Sequence, residues 1–225
     1  MKLSVLMPVW NEEVGLAEIL ARVVAVQVPK EIIVVDDCST DSTAHILEQI
    51  NIPDLRVIRH PVNRGKGAAI RTALEAATGD AVIIQDADLE YDPRDYIALL
   101  APIRRGEAKV VYGVRDLRGQ KLLFRLGNQL LTALTNLLYG VRLRDMETCY
   151  KVMTADIAKS LHIECNRFDL EPEITAKIIR SGYPIHQVPI SYAPREQKKL
   201  SAWRDGWPAL RALVKYRFWK PEGAN

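Results

Sequence analysis

A chain of 225 residues, 48% of them hydrophobic, with a formal net charge of +3, is long enough to bury a sizeable core as one domain over 1–225. No Pro-, Gly- or Ser-rich stretch divides it and no repeat is evident. No apolar run approaches the roughly 20 uncharged residues that span a bilayer. Three scattered cysteines do not build a disulfide framework, and the four histidines show no ligand spacing with them, which argues against a zinc site. The first apolar segment starts directly after Met1, so no signal peptide is expected and a reducing cytosol fits best.

In chain order, Leu3 to Val9 reads as a short apolar strand, and Glu12 to Val26 follows with apolar residues at three- and four-residue spacing, the pattern of a helix. The alternation continues with strand Glu31 to Val35, helix Asp41 to Ile50, strand Leu55 to Arg59, helix Gly67 to Ala77, strand Ala81 to Gln85, helix Pro93 to Ile103 and strand Lys109 to Tyr112. This predicts an α/β fold whose mostly parallel sheet carries helices on both faces. Beyond residue 104 the alternation stops. A Leu-rich amphipathic segment runs from Leu126 to Val141, then a helix from Ile174 to Arg180, a strand from Ile185 to Tyr192 and a last helix from Ala202 to Phe218.

Such sheets bind ligands at the carboxyl ends of their strands. Three polar motifs stand there: Pro8-Val9-Trp10-Asn11-Glu12, Asp36-Asp37-Cys38-Ser39-Thr40-Asp41 and Asp86-Ala87-Asp88-Leu89-Glu90. The third places carboxylates at alternate positions, which suits a hard cation such as Mg²⁺ or Mn²⁺ that also carries a diphosphate. Two acids in a loop for solvation alone would look the same. Asp37 is a candidate to accept hydrogen bonds from a nucleobase edge, with Trp10 against the base or ribose. The structural alternatives are N-capping by Ser39, Thr40 or Asp41, and Trp10 as ordinary core. Asn63-Arg64-Gly65-Lys66-Gly67 opens a helix and can offer backbone N–H groups and two cations to an anion, or serve as a plain Gly-rich turn.

With Asp145-Met-Glu-Thr-Cys-Tyr-Lys151 and Val188-Pro-Ile-Ser-Tyr192, these motifs make the chain, from Leu3 to about Phe218, resemble family 2 glycosyltransferases of the GT-A (Rossmann-like) fold. The closest resemblance is to the branch holding dolichol-phosphate mannosyltransferase and bacterial polyprenyl-phosphate glycosyltransferases. It implies a nucleotide-sugar half, 1–104, and an acceptor half, 105–225. It implies donor contacts from Pro8, Trp10, Glu12, Val35, Asp37, Lys66, Asp86 and Ala87, and a divalent cation, Mg²⁺ or Mn²⁺, on Asp88 and Glu90 with Asp86 reaching it through water. Glu90 stands where the family more often has Gln, which adds negative charge. Arg115 and Arg125 would hold phosphates, as planar guanidinium forks do. Asp145, Glu147 and Lys151 fall at the acceptor-side motif, with Cys149 a small packed thiol. Arg195, with Lys198 or Lys199, resembles the donor-diphosphate clamp, although the family's loop is longer and contains Gly. The acids of Phe168-Asp169-Leu170-Glu171-Pro172-Glu173 are read as complements to a helix N-terminus.

The activity so implied is inverting transfer of a hexose from a nucleotide-diphosphate sugar, of GDP-mannose or UDP-glucose type, to a polyprenyl (dolichyl or undecaprenyl) phosphate, with Asp86, Asp88, Arg115, Arg125, Asp145 and Glu147 as the catalytic set. The alternative is a hydroxyl acceptor in polysaccharide, glycolipid or protein glycosylation, which would require Asp145 or Glu147 as general base. The last helix collects Trp203, Trp207, Tyr216, Phe218 and Trp219 beside Arg204, Arg211, Lys215, Arg217 and Lys220, a membrane-surface composition that core packing or a partner protein would also use. Peripheral association with the cytoplasmic face is therefore expected, with room for a recruiting membrane protein and without a nucleic-acid partner.

Overall fold

Val- and Ile-rich runs become the interior strands of one seven-stranded sheet. The computed structural model describes residues 1–167, 169–195 and 202–221, the side chains of 202–205 excepted. The strands are β1 (Leu3–Val9), β2 (Lys30–Asp36), β3 (Leu55–Arg59), β4 (Ala81–Ile84), β5 (Val110–Arg115), β6 (Lys151–Thr154) and β7 (Ile185–Ile190), in the spatial order β3-β2-β1-β4-β6-β5-β7. β1 runs parallel to β2 and β4, with Leu6 opposite Ile33 and Ile84; β2 is parallel to β3 and β5 to β7. Leu3, Val5, Leu6, Met7 and Val9 are all buried, as expected for a strand covered on both faces.

Helix α1 (Leu16–Ala25) buries Leu16, Ile19, Leu20 and Val23 at helical spacing. Truncating such a side chain, Leu20→Ala for example, costs about 2–5 kcal/mol. α1 starts four residues later than the apolar pattern suggests. Asn11 takes a left-handed φ of 53°, and the Glu12 carbonyl accepts from the Gly15 and Leu16 amides, so residues 11–15 form a turn. Then follow α2 (Thr43–Gln49), α3 (Lys66–Ala76), α4 (Tyr96–Arg104, after a 3₁₀ turn at Pro93–Asp95) and α5 (Leu122–Tyr139). α5 ends on Gly140 at φ +68°. α6 (Ala155–Ser160), α7 (Leu170–Arg180) and α8 (Ala202–Tyr216) complete the chain.

Two elements escape the sequence pattern, β6 and α6. β6 is four residues long and begins on a lysine, yet it lies mid-sheet, antiparallel to both β4 and β5. The buried Lys151 ammonium donates to the Met146 and Thr148 carbonyls, which is how a cation is accommodated there. β6 thus joins the two expected halves into one continuous sheet.

The C-terminal region is partly core. Ala212, Leu213 and Tyr216 of α8 are buried, and the Lys177 ammonium of α7 lies 4.9 Å from the Tyr216 ring centre and 5.3 Å from that of Trp219, paired with Glu173 at 2.7 Å. Of the aromatic residues expected at a membrane, Trp207 and Phe218 are exposed and Tyr216 is not. The Trp203 and Arg204 side chains lie outside the described set.

Candidate active site

The segments leaving β1 and β2 are laced together. The Asn11 amide donates to Ser39 Oγ (3.0 Å), the Thr40 amide to Asn11 Oδ1 (2.8 Å) and the Glu12 amide to Thr43 Oγ1 (2.9 Å). Asp41 accepts from the Thr43 amide (3.0 Å), one residue before Ser42, which is the N-cap of α2 and makes no side-chain cap bond. Trp10, 46% exposed, is not core and presents a ring to solvent at the end of β1. Pro8 lies in β1 opposite Val35 of β2. Val35 and Ala87 belong to the apolar core, so their side chains support the site from below.

Asp37 has a structural role beside the one expected of it. It is buried, and its oxygens are already taken: Oδ1 by His60 Nδ1 (2.7 Å) and the Arg64 amide (2.9 Å), Oδ2 by the Gly65 amide (2.6 Å). His60 continues to Thr72 Oγ1 (2.9 Å). Asp37 therefore pins the Asn63–Gly65 turn. The Gly67 and Ala68 amides at the start of α3 go to the Asn166 carbonyl, at 2.9 and 3.4 Å, so these two N–H groups already have a partner within the chain. Gly65 has φ +94°, and a Cβ there would meet Asn166 O at 2.2 Å, so the turn is fitted to this contact.

The pinned turn delivers Lys66 to the end of β4. Its ammonium lies 2.9 Å from Asp86 Oδ1 and 2.8 Å from Glu171 Oε1. Burial pushes this ammonium down, but Asp86 and Glu171 outweigh it and hold the group well above its ordinary range. Burial pushes the Asp88 carboxyl up to about 7, reinforced by Asp86 and Glu90 and opposed by Arg195. Asp88 accepts from the Glu90 amide at 3.2 Å. Among the described residues no three His, Cys, Asp or Glu side chains form a ready-made metal cage. Glu90 is instead bonded to the Tyr192 hydroxyl (2.8 Å) and the Arg195 amide (3.0 Å). The donor chemistry still fits a cation taken up by one or two carboxylates together with substrate phosphates, the usual manner of Mg²⁺. Asp88, with Asp86 beside it, is the excess of negative charge such an ion would balance.

Arg195 lies across this cluster, its Nε donating to the Asp88 carbonyl (2.6 Å) and its guanidinium to Glu12 (2.7 Å). Lys198 and Lys199 lie outside the described residues.

On the acceptor side, Arg115 and Asp145 form a buried fork at 2.7 and 2.9 Å, with Arg115 over the Tyr192 ring at 5.1 Å. Asp145 is thereby committed and is not poised as a base, and Arg115 is engaged by a carboxylate instead of being open to a phosphate. Glu147 differs: its Oε1 is buried without a hydrogen-bond partner. Burial pushes its carboxyl up to about 7, with Glu171 and Asp145 reinforcing and Lys151 and Arg115 opposing. Burial raises the Cys149 thiol well above its ordinary range, leaving a packed, unreactive group as expected. Arg125 lies on α5, partly exposed. Glu171 does stand in the first turn of α7, as expected of an acid at a helix N-terminus, but its pairing with Lys66 was missed, as was His60; a lone acid and a lone histidine carry no local signal of such partners.

A glycosyl transferase family 2 model matches residues 4–160. The low-salt glycan biosynthesis hexosyltransferase Agl6 of Haloferax volcanii is 30% identical over 223 residues, 94% of this chain and 53% of that one. The dodecaprenyl-phosphate galacturonate synthase of Rhizobium johnstonii is 27% identical over 208 residues, 87% of this chain and 60% of that one. The chain thus spans between half and three-fifths of these relatives' length. In structure it is similar to glucosyl-3-phosphoglycerate synthase from Mycobacterium tuberculosis, solved with Mn²⁺, uridine diphosphate and glucosyl-3-phosphoglycerate, with a TM-score of 0.77 at 23% identity over 99% of this chain and 81% of that one.

Proposed function

Since the chain belongs to glycosyl transferase family 2, we propose that it moves a hexose from a nucleotide-diphosphate sugar, of GDP-mannose or UDP-glucose type, to a polyprenyl phosphate, with inversion at the anomeric carbon. The observation that carries this reading is the Asp86 and Asp88 pair at the end of β4, with Lys66 on one carboxylate and the other raised to about 7 by burial, reinforced by Asp86 and Glu90. Relatives named for transfer to dodecaprenyl and undecaprenyl phosphate support the acceptor class. In this reading the half-exposed Trp10 would meet the base or ribose, and Arg195, bonded to the Asp88 carbonyl, would meet the diphosphate.

Asp88 and Asp86 are the groups that would hold Mg²⁺ or Mn²⁺, which would supply positive charge to a departing diphosphate. Lys66 adds a fixed cation beside Asp86, held in place by Glu171. The acceptor phosphate is already anionic near neutral pH, so it needs positioning more than deprotonation. One of its oxygens forms the new bond to the anomeric carbon while the bond to the diphosphate oxygen breaks, and the nucleoside diphosphate leaves with that electron pair. Electrostatic stabilisation of that charge then supplies most of the rate. In this reading Arg125, on α5, would take the acceptor phosphate, and the paired Arg115 and Asp145 would support the acceptor side.

The lipid would be met at α5 and α8. Leu122, Leu123, Leu126, Leu130 and Leu137 of α5 are exposed, as are Trp207 and Val214 of α8 and Phe218 just beyond it, with Lys121, Arg125, Arg211 and Lys215 interspersed. No helix among the described residues is long and apolar enough to cross a membrane. Peripheral binding to the cytoplasmic face, where anionic lipid adds about 1 kcal/mol per basic side chain, is part of this proposal. A recruiting membrane protein would fit the same surface.

Glu147 favours one second reading, a hydroxyl acceptor, because its unpartnered Oε1 and its raised carboxyl suit a general base. Labelled-sugar transfer from a panel of UDP- and GDP-sugars, to a short polyprenyl phosphate and to the free polyprenol, with Mg²⁺, Mn²⁺ or EDTA, decides between them. Cation-dependent product on the phosphate alone supports the first reading. Product on the alcohol, lost in Glu147→Gln, supports the second.

A further inference from the structure

The contacts at the end of β4 form a row of charged side chains that leads from the turn carrying Asp88 to the acceptor side. Asp86 acts on Asp88, the Lys66 ammonium lies 2.9 Å from Asp86 and 2.8 Å from Glu171, and Glu171 in turn acts on Glu147, whose other charged neighbours are Lys151, Arg115 and Asp145. The Asp86 and Lys66 side chains are 23% and 13% exposed and Glu147 is partly so, which means that solvent, and hence a substrate, reaches the row. Among the described residues, the carboxylates Asp86, Asp88, Glu90, Asp145, Glu147 and Glu171 outnumber the cations Lys66, Arg115, Lys151 and Arg195. A divalent cation would balance that excess, and a nucleoside diphosphate would then make the site negative again. One relative is named for galacturonate transfer, so membership of the family leaves the charge of the donor sugar open.

We propose that Glu171 and Glu147 are specificity-determining residues for the donor sugar: they admit a neutral hexose, whose hydroxyls donate to them, and reject a sugar that carries a carboxylate. The inference rests on the reading of the end of β4 as the donor site. The anomeric carbon is bonded to the diphosphate on one side and faces the acceptor on the other, so the sugar lies along this row. An ionised carboxylate only accepts hydrogen bonds, which suits a hydroxyl and gives a sugar carboxylate nothing but repulsion. Glu147 Oε1 has no hydrogen-bond partner within the chain, an acceptor that a sugar hydroxyl can meet. The surroundings that push the Glu147 carboxyl up to about 7, burial first and then Glu171, would oppose a further carboxylate in the same place. Like charges set against each other are a common way for a site to turn away a near-identical ligand.

Calorimetric titration of the full chain with excess Mn²⁺ tests this, using UDP, UDP-glucose and UDP-glucuronate beside GDP, GDP-mannose and GDP-mannuronate. Within each pair the sugars differ only in a hydroxymethyl group against a carboxylate. With the nucleotide that the wild type binds, the uronate is expected to bind about tenfold or more weaker than its neutral partner, and weaker than the bare nucleotide. Glu171→Gln, which keeps an oxygen for Lys66, and Glu147→Gln are each expected to narrow that ratio by about threefold or more while holding the bare nucleotide within about twofold. A purely structural loss would instead weaken the bare nucleotide and both sugars alike and leave the ratio where it was. Glu48→Gln, on the exposed face of α2, is expected to leave every affinity unchanged. A uronate that the wild type binds as tightly as its neutral partner overturns the proposal, and so does a ratio that neither Gln variant moves. Failure of both bare nucleotides to bind refutes the underlying reading of the donor site, and the proposal falls with it.

Discussion

Replacing Asp37 by Asn separates a pinned turn from a base-reading carboxylate. In the wild type, Oδ1 takes His60 Nδ1 and the Arg64 amide while Oδ2 takes the Gly65 amide at 2.6 Å, the first bond buried and the two amide bonds partly so. Asn can keep one oxygen for the first pair, but its NH₂ then faces the Gly65 N–H, donor against donor. Losing one charge-assisted bond and leaving a buried amide unsatisfied costs about 3 kcal/mol. For a chain of this length, unfolding entropy of about 2.1 cal/mol/K per residue makes 1 kcal/mol worth about 2 °C, so Tm should fall by about 6 °C. Differential scanning calorimetry measures the shift, and nucleotide titration in the same variant should show weakened UDP and GDP binding in equal proportion, because the turn that sets Lys66 has loosened. A Tm within 1 °C of wild type together with a changed preference between UDP and GDP would refute this reasoning and return Asp37 to the base edge.

Gly65→Ala should destabilise by about 3 kcal/mol or more, read by thermal melting, since the residue sits at φ +94° and its Cβ would lie 2.2 Å from Asn166 O. Glu31 sets a pH dependence. Burial raises its carboxyl, but bonds from Ser4, Lys2 and Thr78 outweigh that and bring it from 4.5 down to about 2. A depressed carboxylate contributes stability above its unfolded value and loses it as pH falls, so about 3 kcal/mol should disappear between pH 4.5 and 2, and Glu31→Gln should flatten that part of a urea-midpoint-versus-pH curve. Leu126→Asp with Leu130→Asp, both on the exposed face of α5, should reduce co-sedimentation with anionic liposomes at least tenfold while leaving Tm unchanged within about 1 °C.

The five strands of the first 115 residues and the helices between them were legible because each is a local apolar run with its own period. β6 was not. Its four residues begin with Lys151, whose ammonium is satisfied by carbonyls of the preceding loop, an arrangement no periodicity reports. The strand order, with β6 antiparallel mid-sheet, is a long-range fact of the same kind. At the site, the motif after β4 was found through its acids, and Trp10 was rightly held open between core and surface. The turn-pinning role of Asp37 was not legible, because its partners, His60 and the Arg64 and Gly65 amides, stand more than twenty residues away and advertise nothing locally. Glu171 was rightly placed at a helix N-terminus, but its bond to Lys66 was not legible, since that partner is 105 residues distant. Arg115 and Asp145 were each given a ligand-facing role from the sequence, and the fold pairs them with each other.

The central claim is that Asp88 holds the cation through which a nucleotide-diphosphate sugar is engaged for transfer to a lipid phosphate. Transfer of labelled sugar to a short polyprenyl phosphate, with whichever UDP- or GDP-sugar the wild type uses and either Mg²⁺ or Mn²⁺, should fall to the EDTA background in Asp88→Asn while the variant melts within a few degrees of wild type. Full activity in Asp88→Asn, or wild-type transfer that EDTA does not touch, would contradict the account.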